Sequence, residues 1–176
     1  LGHQLRQRGI LCPQPLSGGS ALWTLGKVPP SSPDGEVARV KGRVIKEGKA
    51  VGIALVSREP LTFFGGVDPE TGMVTERGHE LEGECIAGRI LVFPKGKGST
   101  VGSYTLYRLR AKGLAPAGII NAESEAILAV GAIIADIPMV DQIDIGKIKT
   151  GDKVTIEGAL VKMEGEDCPE TGSSYS

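Results

Sequence analysis

The chain has 176 residues, enough for one domain with a sizeable core and short for two. Its 20 Lys and Arg balance 21 Asp and Glu, so no net field draws it to nucleic acid or to an anionic membrane, and no basic run with interleaved aromatics is present. No apolar run approaches the roughly 18–20 residues that span a bilayer, and the longest candidate, residues 126–135, has Gly131 inside it. These features predict a soluble, cytoplasmic protein with no nucleic-acid partner and no membrane partner. The 26 Gly and 11 Pro are spread among Val, Ile and Leu runs, as in a folded domain with many tight turns. The three cysteines, Cys12, Cys85 and Cys168, lie far apart and form no C-x-x-C pair. That spacing argues against a self-contained zinc or iron–sulfur site, predicts no disulfide framework, and leaves Cys85 as a small buried apolar side chain.

Residues 1–35 hold Cys-Pro-Gln-Pro, Ser-Gly-Gly-Ser and Pro-Pro-Ser-Ser-Pro-Asp-Gly, many breakers with little periodic apolar surface. They read as a flexible extension, and because the chain begins with Leu1, as a fragment edge or an upstream translation of the reading frame. Residues 36–164 read as a single domain, and residues 165–176 as a disordered tail.

Within the domain the first signal is alternation across residues 36–44, a half-buried strand, followed by a second strand over 50–56. Residues 64–72, Phe-Gly-Gly-Val-Asp-Pro-Glu-Thr-Gly, place turn formers at nearly every position and require an ordered loop. Residues 89–93, Arg-Ile-Leu-Val-Phe, are apolar enough for a strand buried on both faces. A Gly-rich turn, Pro-Lys-Gly-Lys-Gly-Ser-Thr, then opens a helix with Ser99 or Thr100 as N-cap, stopped by Gly113 and Pro116. A buried strand over 117–120, a helical stretch over 123–135 and a short strand over 137–140 complete a βαβαβ succession, and a final hairpin carries Val154, Ile156, Leu160 and Val161.

The turn at 94–100 is the most informative chemistry. A strand that ends in glycines and opens a helix offers unpaired N–H groups and the positive end of the helix dipole, so an anion is its natural occupant. Ser99, with Lys97 nearby, can act there as a base or proton relay, or it can simply cap the helix, and spacing alone does not choose. The turn is not a nucleotide P-loop: Gly98 follows Lys97 where Ser or Thr is required, and Leu91 stands where that motif needs its first Gly. Nor is it a hydrolase elbow, because no G-x-S-x-G is present. His79 lies in Arg-Gly-His-Glu-Leu, reads as a solvated loop residue, and is not set in a Gly-rich loop as a phosphohistidine would be. Asn121 ends a buried strand and reads as a cap.

Three segments taken in order carry a resemblance: residues 57–68, Ser-Arg-Glu-Pro-Leu-Thr-Phe-Phe-Gly-Gly-Val-Asp; residues 88–104, from Gly-Arg-Ile-Leu-Val-Phe to Gly-Ser-Thr-Val-Gly-Ser-Tyr; and residues 130–141, Val-Gly-Ala-Ile-Ile-Ala-Asp-Ile-Pro-Met-Val-Asp. Together they resemble the small, swivelling subunit of the aconitase X group, over about residues 40–163. The resemblance implies an α/β fold, a β-rich three-layer β/β/α swivelling domain like that of aconitase. It implies a hydro-lyase subunit active only in a heterodimer with a large catalytic subunit, which holds an iron–sulfur cluster, with no metal bound by this chain. By motif match Ser99 would be the catalytic proton acceptor. Lys97, Gly98, Thr100 and Arg58 are then candidates to bind a small phosphorylated hydroxy acid. The reaction implied is dehydration of (R)-5-phosphomevalonate to trans-anhydromevalonate 5-phosphate in an archaeal route to isoprenoids. Dehydration of cis-3-hydroxy-L-proline is the alternative within the group, and a non-catalytic swivel or assembly module is the alternative of another class.

Overall fold

A computed structural model of the chain describes residues 37–97 and 100–164. The predicted extension and tail, Gly98 and Ser99 lie outside the described residues.

Among the described residues, ten strands and two α-helices follow in the order β1 (Ala38–Lys41), β2 (Arg43–Lys46), β3 (Lys49–Val56), β4 (Leu61–Thr62), β5 (Ile90–Phe93), β6 (Gly96–Lys97), α1 (Val101–Ala111), β7 (Gly118–Asn121), α2 (Ala126–Ile134), β8 (Met139–Asp141), β9 (Lys153–Glu157) and β10 (Leu160–Glu164). Eight strands form one sheet in the order β1-β10-β9-β3-β5-β7-β8-β2. Its first half, β1 to β3, is antiparallel, and β3, β5, β7 and β8 run parallel. The long strand β3 belongs to both halves: Lys49 to Ile53 pair with β9, and Ala54 to Val56 pair with β5.

The two ends of that strand order, β1 and β2, are neighbours in sequence, so the sheet nearly closes on itself through Gly42. The sequence predicts one alternating strand over this stretch; the structure divides it, because β1 pairs with β10 while β2 pairs with β8. Only a residue without a side chain fits at the crossing. A Cβ on Gly42 would stand 2.4 Å from the Asp141 carbonyl oxygen and 2.6 Å from Ile143 Cδ1.

Alternation along the parallel strands separates two cores. Leu91 and Phe93 of β5, Ile119 of β7 and Met139 of β8 face Leu106 and Leu109 of α1 and Leu128 and Ala132 of α2. Ile90 and Val92 of β5, Ile120 of β7 and Val140 of β8 face Val154 and Ile156 of β9 and Val161 of β10. Buried on both faces, these strands read as continuous apolar runs. The result is the expected three-layer β/β/α arrangement, with the βαβαβ unit β5-α1-β7-α2-β8 at its centre.

Two further details differ from expectation. Gly96–Lys97 is a short strand paired in parallel with Leu61–Thr62, a feature too brief to leave any periodicity in sequence. Cys85 is buried as predicted but is disulfide-bonded, and spacing alone carries no information on such pairing. Cys12 and Cys168 lie outside the described residues.

Candidate functional site at the carboxyl edge of the parallel strands

Both helices start from the same edge of the sheet, each following the C-terminal end of a parallel strand. This is where ligands gather in open α/β sheets. The edge is built on Phe93, fully buried at the end of β5 and set against Phe63 at 6.0 Å between ring centroids. Asn121, its register partner on β7, donates from Nδ2 to the Phe93 carbonyl at 2.9 Å. The Ala122 and Glu123 amides donate to the Pro94 carbonyl at 3.1 and 3.0 Å. The segment after β7 thereby fixes the base of the Gly-rich turn.

The turn's near side is held as firmly. Thr62 pairs with Lys97 across β4 and β6. Lys97 Nζ lies 2.7 Å from Glu76 Oε1, and Glu76 Oε2 accepts the Thr62 amide at 3.3 Å. Burial pushes the Glu76 carboxyl up, but the hydrogen bonds from Lys97 and from the Thr62 amide outweigh it and hold the group below its ordinary value. Lys97 is half-exposed and keeps a charged head at the mouth of the turn. Thr100 precedes α1 with helical dihedrals and makes no side-chain cap; its carbonyl accepts Ser103 N–H at 3.3 Å and Ser103 Oγ–H at 2.7 Å. Thr100 therefore does not perform the capping role that the sequence offers it.

Beside the turn lies a cleft of about 400 Å³ lined by Lys95, Gly96, Lys97, Glu123, Ser124 and Glu125. Behind Ser124 sits a buried charge. Asp141 at the end of β8 has a side chain only 1% exposed, accepts Arg43 Nε at 3.0 Å and Arg43 Nη2 at 2.6 Å, and accepts Ser124 Oγ at 2.6 Å. Burial raises the Asp141 carboxyl, and the Arg43 and Ser124 hydrogen bonds more than offset this, so it titrates below its ordinary range.

Of the predicted site residues, Lys97 and Thr100 flank the turn, whereas Gly98 and Ser99 lie outside the described residues. Arg58 is exposed after β3 and lines a separate cavity of about 270 Å³ with Ser57, Glu80 and Lys149. That cavity shares no lining residue with the Lys97 cleft. His79 is buried rather than solvated, with Nδ1 accepting the Leu81 amide at 3.1 Å and Nε2 without a partner. Sequence reading missed Glu76 and the Arg43–Asp141 pair, because each lies far in sequence from what it holds. For Asp141 the available signal was a carboxylate at the end of a buried strand. Asn121 is not the cap that the sequence suggests: it ends β7, holds the Phe93 carbonyl through Nδ2, and its Oδ1 is buried without a partner. Among the described residues no group of three or more His, Cys, Asp or Glu side chains gathers to hold a metal, so they offer no ligand set for an iron–sulfur cluster. No helix among them is long and apolar enough to cross a membrane.

The layers define a β/β/α domain of the swivelling type, with the two described flanks of the Gly-rich turn, Lys97 and Thr100, on one rim. Residues 39–163 match the aconitase X swivel domain, and the chain belongs to that family. It is 58% identical over 126 residues to the phosphomevalonate dehydratase small subunit of Thermococcus kodakarensis, covering 72% of this chain and 95% of the relative. With the protein of the same name from Methanosarcina acetivorans it shares 49% over 140 residues, 75% of this chain and 97% of that one. The crystal structure of Thermococcus kodakaraensis aconitase X in its holo-form superposes with a TM-score of 0.71 at 54% identity, covering 73% of this chain and 99% of that chain.

Proposed function

We propose that this chain is the small subunit of a heteromeric hydro-lyase that dehydrates (R)-5-phosphomevalonate to trans-anhydromevalonate 5-phosphate. The observation that carries this reading is the match to relatives of that name over 95% or more of their length at 49–58% identity. In this reading a large subunit holds the iron–sulfur cluster that the family implies. Such a cluster supplies an electron-accepting metal to a departing hydroxyl.

This chain's part is delivery and stabilisation. Ser99 accepts the proton next to the substrate carboxylate. The α1 N-terminus and the charge on Lys97 favour the negative oxygen that results. Lys97 is presented by two contacts, its backbone pairing with Thr62 and its ion pair with Glu76. Gly98 and Thr100 are the further candidates to stabilise that oxygen or the substrate's negative groups. Arg58 has its own cavity and contributes only if the partner bridges the two recesses.

The test is to assay the chain and an aconitase X large subunit separately and mixed, under anaerobic conditions with the cluster reconstituted. Turnover of (R)-5-phosphomevalonate by the mixture alone is the expected result. Turnover of cis-3-hydroxy-L-proline alone would replace the substrate, and no turnover of either would leave the domain as an assembly module.

A further inference from the structure

Three parallel strands deliver polar groups to one recess at their carboxyl ends. Lys95, Gly96 and Lys97 follow β5, Ser124 follows β7, and Asp141 ends β8 behind Ser124. The recess is the cleft of about 400 Å³ beside the turn, and its lining sets Lys95 and Lys97 against Glu123 and Glu125. Such a mixed lining suits a ligand that carries a hydrogen-bond donor as well as ionised groups better than it suits a bare polyanion.

Ser124 is fixed from behind by a buried charge. Its Oγ donates to Asp141 Oδ2 at 2.6 Å, and its backbone N–H donates to the same oxygen at 3.2 Å. An ionised carboxylate only accepts, so the Ser124 proton is committed to Asp141. Asp141 is itself held: Arg43 donates to both of its oxygens, at 3.0 and 2.6 Å, and these bonds keep the carboxyl ionised at neutral pH. The other contact of Ser124 Oγ is with Arg43 Nη2 at 3.5 Å, too long to occupy a lone pair firmly. A hydroxyl oxygen has two lone pairs, so Ser124 faces the cleft as an acceptor and not as a donor.

We infer that Ser124 accepts a hydrogen bond from the hydroxyl of the hydroxy-acid substrate, and so distinguishes that substrate from its dehydrated product, which has lost the hydroxyl. The inference rests on the reaction proposed above. Lys95 and Lys97 on the same lining match the substrate's ionised groups.

The test assays the reconstituted complex in both directions. Ser124→Ala raises the forward KM about fivefold at unchanged kcat, the fold-change that one uncharged hydrogen bond carries. In the hydration direction KM for the product stays the same, and because the overall equilibrium constant is fixed, kcat falls by that same factor. Ser124→Thr keeps the hydroxyl and brings these constants back to within twofold of wild type. Ser124→Cys, a weak acceptor of similar shape, shows the same split and carries the test if the Ala variant does not fold. A forward KM within twofold of wild type, an equal rise in both KM values, or no rescue by Thr would each overturn the role of Ser124. The split is read on whichever of phosphomevalonate and cis-3-hydroxy-L-proline the wild type dehydrates, so a wrong substrate does not imitate a wrong role. No turnover of either removes the proposed reaction and this inference with it.

Discussion

At the scale of single residues, charge pairs fix the rim from behind. Asp141 is the most buried of these charges, and two groups from different elements, Arg43 and Ser124, converge on it. Its carboxyl titrates below the ordinary range in the folded chain. A depressed folded pKa means that the contribution of the pair is fully present above the unfolded value, near 4, and is lost as pH falls through the folded value. Asp141→Asn is therefore expected to lower stability at neutral pH and to flatten its pH dependence below about pH 4. Denaturant melts across pH 2.5–7 check this, and an unchanged acid limb in the variant would show that Asp141 is not the group responsible. Ser99 was legible as a candidate because a Gly-rich turn opening a helix leaves a dense local pattern. Glu76 and Arg43 were not, because their partners are distant in sequence: Arg43 and Asp141 are separated by nearly the whole domain.

At the scale of elements, the position of the turn depends on how closely α1 lies against α2. A Cβ at Gly131 would come within 2.9 Å of both Ser103 Cα and Leu106 Cδ1. Gly131→Ala sets two effects against each other. Helix propensity favours Ala by about 1 kcal/mol, and overpacking against a backbone atom costs about 1–3 kcal/mol. The clash involves Ser103 Cα, which cannot rotate away, so the net expectation is a loss of about 1 kcal/mol in urea unfolding. A gain in stability would show that the helices separate freely. Much of the element order could be read directly, since strands buried on both faces and helices between glycine and proline stops leave strong periodic signals. The division of the first strand at Gly42 could not, because alternation continues through the crossing and only the identity of each half's partner separates β1 from β2. β4 and β6 escaped for a different reason, being two residues each and held by tertiary pairing.

At the scale of the whole molecule, the nearly closed sheet and its two helices bring Lys97, Thr100 and the start of α1 to one rim. The relatives are named as small subunits, which fits a domain whose chemistry is completed by another chain. The central claim is that Ser99 performs the proton transfer in that assembly. Its most direct measurement is kcat for (R)-5-phosphomevalonate dehydration by the reconstituted heterodimer with Ser99→Ala, alongside calorimetric binding of the two subunits. The account predicts a loss of at least 100-fold in kcat, the lower range of a general base's contribution, with subunit affinity unchanged. Retained turnover in a fully assembled Ser99→Ala complex would contradict it.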